Sequence, residues 1–389
     1  MSARISRRLG LQLGGSLLAW GAPGYAAAPI KVGMSTALSG PAQGLGQGMC
    51  AGVKAYFELV NQRGGVQGRP LELVALDDQY EPSKAAPNVR RLIDQEGVVA
   101  IVGNVGTPTA VVTVPIANEK KVPFFGAFTG AGVLRKNPPD RYVFNVRASY
   151  ADETAEMVRG LLEDRRLKPE EIGFFTQDDA YGDAGYQGGL KALTARGLRA
   201  PEMLPHGRYT RNTLDIEDGL ARLLDPRVRP RAIIVVGTYQ PVAKFIRLAK
   251  HHGLRAIFAN VSFVGSAELS RALGPDAEGV VVTQVVPHWS GELPILKEYR
   301  ATGLEPNFVS LEGFIVGRAF SQVLAAAGAD VTAEGFVRAA ESGTEFDLGL
   351  GKKQALSATR HGFSTSVWPT LIKKSQFQAF ADWRELSGP

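Results

Sequence analysis

The chain is 389 residues long, 44% hydrophobic and 21% charged, enough for two domains that each bury a core and too apolar for a disordered polymer. Its net charge of +6 drops to +3 when Arg4, Arg7 and Arg8 are set aside, and no Lys/Arg cluster is interleaved with aromatics, which excludes a nucleic-acid binder. The one cysteine, Cys50, excludes an intrachain disulfide, so packing alone must hold the fold.

The first 28 residues read as a signal peptide. Arg4, Arg7 and Arg8 form a positive start, Leu9 to Trp20 is a short apolar stretch, and Gly24-Tyr25-Ala26 or Ala26-Ala27-Ala28 offers a small-residue cleavage site. The apolar stretch is too short to span a bilayer comfortably. Ser6-Arg7-Arg8 also resembles a twin-arginine signal. Both routes lead out of the cytoplasm, and the expected location is the periplasm. Cys50 lies well past the cleavage site, so it is no lipid anchor; it is expected on a buried helix face.

Beyond the leader, Ile30 to Met34 reads as a strand, followed by a loop with Ser35, Thr36, Ser39 and Gly40. Val53, Phe57 and Val60 recur at helical spacing between Gln47 and Asn61, and Gly64-Gly65 ends that helix. Leu71 to Leu76 is a strand, Pro82 to Gln95 a helix, Val98 to Val102 a strand, Thr109 to Asn118 a helix and Val122 to Phe125 a strand. Such alternation predicts a parallel sheet covered by helices on both faces. The rhythm then starts again: helices over Tyr150 to Leu162, Tyr181 to Ala195 and Pro241 to His252, strands over Ile172 to Thr176, Ala232 to Val236, Ala256 to Asn260 and Gly279 to Thr283. After Pro287 three helices follow (Glu292 to Thr302, Ser310 to Gly328, Thr332 to Ser342), then extended segments from Gln354 to Phe380. The fold class is therefore α/β, with two doubly wound lobes and no flexible linker between them.

In open α/β sheets a ligand sits beyond the carboxyl ends of the strands. The residues there are Ser35, Thr36 and Ser39; Asn104, Gly106, Thr107 and Thr109; Phe128, Thr129 and Gly130; then Gln177, Asp178, Asp179 and Tyr181; Thr238 and Tyr239; Ser262 and Phe263. Hydroxyls, glycines and aromatics dominate, an inventory suited to holding a molecule rather than breaking one. Thr107 and Thr109 open a helix whose free N–H groups attract an anion such as a carboxylate. Gly130 admits a close approach of backbone to ligand. Tyr181, Tyr239 and Phe263 make an apolar wall. The plain alternative is that Thr107 caps its helix and Tyr181 only packs.

Enzyme signatures are missing. Gly44, Gly46 and Gly48 do not match a dinucleotide fingerprint, no phosphate loop or nucleophile elbow occurs, and His206, His251, His252, His288 and His361 have no metal spacing. Asp77 and Asp78 point to opposite faces of a strand end. No enzymatic activity, metal or cofactor is expected.

The segments IKVG…SGP, VNQRGGVQGRPLELVALDD, EPSKAAPNVRRLI, VAIVGNVGTPT, VPFFGAFTGA, FFTQDDAYGDAGYQGGL and GTYQPVAKFIRLAKHHGL, in that order, resemble the type I periplasmic binding proteins, in particular the leucine/isoleucine/valine-binding family of ABC transporters. The resemblance spans essentially all of the chain after the leader. It implies two Rossmann-like lobes joined by three crossovers, an N-terminal lobe of residues 29–147 and 286–360 and a C-terminal lobe of 148–285 and 361–389. It further implies a monomer that captures an amino acid or related small amphipathic carboxylate between the lobes and delivers it to membrane permease subunits. A periplasmic sensory component is the second reading, and a secreted enzyme on the same fold the third.

The family's carboxylate-binding hydroxyl falls on Thr107, its second carboxylate loop on Phe128, Thr129 and Gly130, and its cleft tyrosines on Tyr181 and Tyr239. With Ser39, Tyr150, Asp179, Ser262 and Phe263 these make up the expected ligand-binding set. Three features depart from the family. A first-loop tyrosine is replaced by Leu45, the N-lobe disulfide is absent, and Ser262 stands where an acid binds the ligand's ammonium. Burying an ammonium without a counter-charge costs several kcal/mol. Either Asp178 or Asp179 replaces that acid, or the ligand is not an α-amino acid.

Overall fold

The computed structural model describes residues 28–386; the leader, apart from Ala28, lies outside the described residues. Two sheets organise the chain. The first contains β1 (Ile30–Thr36), β2 (Leu71–Asp77), β3 (Ile101–Val102), β4 (Phe124–Phe125) and β5 (Val143–Phe144), in the order β2-β1-β3-β4-β5, all parallel. Helices α1 (Gln43–Gln62), α2 (Pro82–Asp94) and α3 (Thr107–Lys120) make the crossovers.

The second sheet has seven strands. Parallel β6 (Ile172–Gln177), β7 (His206–Tyr209), β8 (Ala232–Val236), β9 (Ile257–Asn260) and β10 (Val281–Gln284) are extended by antiparallel β13 (Trp368–Lys373) and β14 (Gln376–Ala379) in the order β14-β13-β10-β9-β8-β6-β7. Its helices are α4 (Tyr150–Arg159), α5 (Ala180–Thr194), α6 (Glu217–Leu224), α7 (Tyr239–His251) and α8 (Ser266–Leu273). The AIIVV run of β8 is buried along its whole length, as a central parallel strand covered on both faces must be.

Between β10 and β13 the chain returns to the first lobe as α9 (Pro294–Ala301), α10 (Phe308–Ala326), α11 (Ala333–Glu341) and the hairpin of β11 (Ser342–Phe346) with β12 (Gln354–Ser357). Helix α10 is long and apolar enough to cross a membrane, yet it is buried inside the fold against α1. Close packing there depends on missing side chains: a Cβ on Gly52 would strike the backbone of α10 at Phe314 N, 2.6 Å away. Cys50 lies buried on α1, as its pattern predicts.

The sequence passes between the sheets three times, after β5, after β10 and before β13. The first and third passes pair with each other: Asn145 N–H donates to His361 O at 2.7 Å and Phe363 N–H to Asn145 O at 3.0 Å. Several elements escape periodicity because they are short or edge-placed, namely β5, β7, α6, α8 and β11. The final turn docks firmly, with the Trp383 indole fully buried over Gly160, where any Cβ would collide with it.

Candidate functional site

The carboxyl ends of both sheets face one another, and the residues that follow the strands fill the space between. After β2, Tyr80 adopts φ +62 and turns into the gap. Room for its ring comes from Gly106, at φ +109, where a Cβ would overlap the Tyr80 ring. Phe128 follows β4, Tyr150 follows the first pass, Tyr181 follows β6 and Phe263 follows β9. Phe263 lies 5.2 Å from Phe128 and 5.9 Å from Tyr80, ring centre to ring centre, so rings of the second lobe touch rings of the first. Tyr181 lies 4.6 Å from Phe263 and 5.3 Å from Tyr150. All five rings are buried. The cleft is closed and aromatic.

Hydroxyls border the rings. Thr107 Oγ1 and Thr129 Oγ1 share a hydrogen bond of 2.6 Å at the start of α3. Thr107 is the first residue of that helix and Gly106 occupies the cap, with no side-chain cap bond, so the capping alternative for Thr107 fails. The Tyr150 hydroxyl neighbours both threonines yet makes no hydrogen bond of good geometry. Burial pushes this phenol up to about 12 although Arg147 opposes the shift, so it stays a neutral donor. Helix α4 begins at Tyr150 because Ser149 and Asp152 form a capping box: Asp152 N–H donates to Ser149 Oγ at 3.0 Å and Ser149 N–H to Asp152 Oδ2 at 2.8 Å.

Behind the rings lies a buried charge cluster. Arg147, 2% exposed, comes from the first pass between lobes. Its guanidinium sits 4.6 Å from the Phe128 ring centre, donates from Nη2 to Ser262 Oγ, and reaches Glu153 Oε1 at 3.8 Å and Glu312 Oε1 at 3.4 Å. Glu153 accepts three hydrogen bonds, from Ser262 N–H (2.7 Å), Ser262 Oγ (3.0 Å) and Thr283 Oγ1 (2.6 Å). Glu312, on α10, has an oxygen with no hydrogen-bond partner, and burial pushes its carboxyl up to about 7 despite the pull of Arg147. Arg135 braces the same region, donating to Thr129 O, Ala131 O and Arg147 O at 3.0 to 3.3 Å.

The expected binding residues thus divide. Thr107, Phe128, Thr129, Tyr150, Tyr181, Ser262 and Phe263 come together. Gly130 serves a different close approach from the one its sequence context suggests: a Cβ there would lie 2.5 Å from Tyr150 N, so the glycine makes room for the start of α4. Ser39 bonds within its own lobe, to Asp77 Oδ2 at 2.5 Å. Asp179 caps α5, accepting from Tyr181 N–H at 2.9 Å, and pairs with Arg211 at 3.2 Å. Asp178 is exposed and pairs with Arg208 at 3.0 Å. Tyr239 lies to one side, its hydroxyl accepting from Gly44 N–H across the cleft at 3.4 Å.

Periodicity gave no warning of Tyr80, Arg147, Glu153 or Glu312. Glu312 carried a readable signal, being the lone acid in the apolar run of α10.

The cleft mouth is tied by direct bonds between lobes. Arg211 Nη2 donates to Glu81 Oε2 at 2.9 Å, Asn212 Nδ2 to Glu81 Oε1 at 2.6 Å and Gln177 Nε2 to Tyr80 Oη at 3.2 Å. On the opposite side Asn307 Nδ2 donates to Glu268 Oε1 at 3.2 Å.

Two α/β lobes closing over a shared cleft narrow the choice of family, and the family model described as periplasmic binding protein matches residues 29–376. The chain belongs to the periplasmic binding protein family. It is 25% identical over 322 residues to an amino acid binding protein of Pseudomonas aeruginosa, covering 79% of this chain and 81% of the relative. It is 24% identical over 269 residues to the Leu/Ile/Val-binding protein of Escherichia coli K12, covering 66% and 67%. A crystal structure of a possible leucine/isoleucine/valine-binding protein from Rhodopirellula baltica superposes with a TM-score of 0.89 at 48% identity, covering 93% of this chain and 98% of that one. The valine-bound structure of a branched chain amino acid ABC transporter protein from Thermus thermophilus shares the fold, with a TM-score of 0.78 at 18% identity over 91% and 96% of the chains. The chain is a type I periplasmic binding protein of the leucine/isoleucine/valine-binding branch, and its function is solute binding.

Proposed function

We propose that this periplasmic binding protein captures a small amphipathic carboxylate, an amino acid or a relative of one, between its lobes and delivers it to the permease subunits of an ABC transporter. The observation that carries the reading is the pairing of Thr107 with Thr129 at the first turn of α3, beside the free Tyr150 hydroxyl. Hydroxyls and a helix N-terminus in a water-excluded cleft form a donor site for a carboxylate. The aromatic rings hold the apolar part of the same molecule.

Delivery follows from closure. The three passes at 145–149, 285–293 and 361–367 act as the hinge between lobes bounded near residues 147, 285 and 360, and the Glu81–Arg211 and Gln177–Tyr80 bonds form only when the lobes meet. Residues 1–28 act as the leader that exports the protein to the periplasm, where it works as a monomer and without enzymatic turnover. Uptake of the bound solute by cells tests the reading. Deleting the gene should abolish high-affinity uptake, and restoring it with Thr107→Val should not rescue it. Full rescue by that variant would remove Thr107 from the site, and unchanged uptake in the deletion strain would refute the transport role in favour of a sensory one.

A further inference from the structure

The acid that Ser262 displaces is not supplied from elsewhere in the cleft. Asp178 is exposed and paired with Arg208, while Asp179 is committed to the cap of α5 and to Arg211. Glu153 stands behind Ser262, but it is turned to three donors of the protein and to Arg147. Glu268 lies at the opposite edge of the cleft, where it accepts from Asn307 Nδ2 at 3.2 Å, which leaves Glu312 beside Arg147. The Glu312 carboxyl, raised to about 7 by burial, already faces Arg147 Nε at 3.4 Å, so an ammonium there would compete with a guanidinium for one half-ionised group.

Donors, by contrast, are in surplus. Arg147 is almost wholly buried; its Nε faces Glu312 at 3.4 Å and its Nη1 has no hydrogen-bond partner. The Tyr150 hydroxyl is buried and free as well. Buried donors left unpaired cost free energy, so their natural complement is an acceptor that arrives with the ligand. Arg147 lies against Phe128 and within 6.0 Å of the Tyr150 ring centre, and Tyr150 adjoins the Thr107–Thr129 pair. These donors surround one region. The rings of Tyr80, Phe128 and Phe263 meet across the cleft, and a planar solute enters by parting them by one ring thickness, replacing ring–ring with ring–solute contacts.

On the reading of this cleft as a carboxylate trap, we propose that its solute is a flat, aromatic carboxylic acid without an α-ammonium group, its carboxylate received by Arg147 and Tyr150 together with Thr107. An α-ammonium there would have to share Glu153 or Glu312 with the Arg147 guanidinium, which already pairs with both.

Calorimetric titration of the full mature chain with two matched pairs tests this: benzoylformate against L-phenylglycine, and 4-methyl-2-oxopentanoate against L-leucine. Each pair shares a skeleton and differs at the ammonium. Benzoylformate should bind at least about 100-fold more tightly than L-phenylglycine, as a buried cation without an acid of its own demands. It should also bind more tightly than 4-methyl-2-oxopentanoate. Tighter binding of either amino acid than its oxo-acid partner overturns the inference while leaving the solute-binding function intact, and loss of that binding in Glu312→Gln would assign the ammonium to Glu312. Tighter binding of the aliphatic oxo acid overturns the aromatic assignment. If none of the four binds, the solute released by denaturing the purified protein decides: an aromatic acid without an amine supports the inference, any other solute overturns it, and no solute at all contradicts the carboxylate-trap reading as well.

Two variants locate the contact. Tyr150→Phe removes a hydroxyl that makes no hydrogen bond of good geometry in the fold, so benzoylformate affinity should drop about 3- to 10-fold with little change in melting temperature. Arg147→Lys keeps the charge but loses the fork and should cost about 10- to 100-fold. Unaltered affinity in both variants would overturn the assignment of the carboxylate to these residues.

Discussion

The carboxylate of Glu153 receives both the backbone N–H and the hydroxyl of Ser262, at 2.7 and 3.0 Å. An acid on α4 therefore stands behind the position where family resemblance places one on the loop after β9, and it is turned to the protein rather than to a ligand. Arg147 closes the arrangement from the hinge, bonded to the same serine.

Removing Glu153 should be costly. Glu153→Ala leaves the Ser262 N–H unpaired and removes one of the two acids that face the Arg147 guanidinium, in a site shut off from water. Losing one side of a buried charge pair costs about 3–5 kcal/mol. Chemical denaturation of the variant should register a loss of that order, and a loss under about 1 kcal/mol would mean that the cluster is wetter than its burial implies.

Glu312 sets a pH dependence with a definite sign. Burial raises its carboxyl to about 7 in the fold against an ordinary 4.5, partly offset by Arg147 and Arg135 and reinforced by Glu153. The folded state thus holds this proton more tightly than the unfolded chain, so its stabilising effect is complete below about pH 4.5 and is lost as pH climbs through about 7. Glu312→Gln cannot titrate. Its melting temperature should gain on that of the original protein across that window and then run parallel above it. Parallel curves throughout would place the Glu312 titration outside the window.

The mouth contacts should bias closure without touching solute. Glu81→Ala removes the bonds to Arg211 and Asn212, which are partly exposed, so each contributes on the order of 0.5–1 kcal/mol. The ligand-free protein should then open more readily, seen as a larger radius of gyration in solution scattering, and affinity should weaken about 2- to 10-fold through that population shift. An unchanged radius with unchanged affinity would show that closure does not depend on this pair.

Gly130 carries a steric prediction. A methyl group there meets Tyr150 N at 2.5 Å and its ring beyond, and overpacking of this kind costs about 1–3 kcal/mol. Gly130→Ala should lower the melting temperature and displace Tyr150, whereas a variant as stable as its parent would mean that the loop after β4 yields easily.

The alternating strands and helices of both lobes were legible because a buried parallel strand such as Ala232–Val236 is an unbroken apolar run and its flanking helices repeat at 3.6 residues. The strand-end rule likewise found Thr107, Phe128, Tyr181 and Phe263. It could not find Arg147, which lies in an irregular pass with no period, or Glu153, whose helix also carries Asp152 and Glu156. Tyr80 was hidden by two successive left-handed residues, Gln79 and Tyr80, that turn its ring into the cleft. Whether an acid replaced by Ser262 is supplied from another element depends on packing between distant segments, and that is a property of the fold rather than of any local stretch.

The central claim, that the closed cleft holds one small solute, is tested most directly by native mass spectrometry of the full mature chain purified from the periplasm. The account predicts a 1:1 complex whose added mass corresponds to a small organic acid and is lost on mild activation. A protein that carries no added mass, and acquires none on exposure to a concentrated extract of small acids, would contradict it.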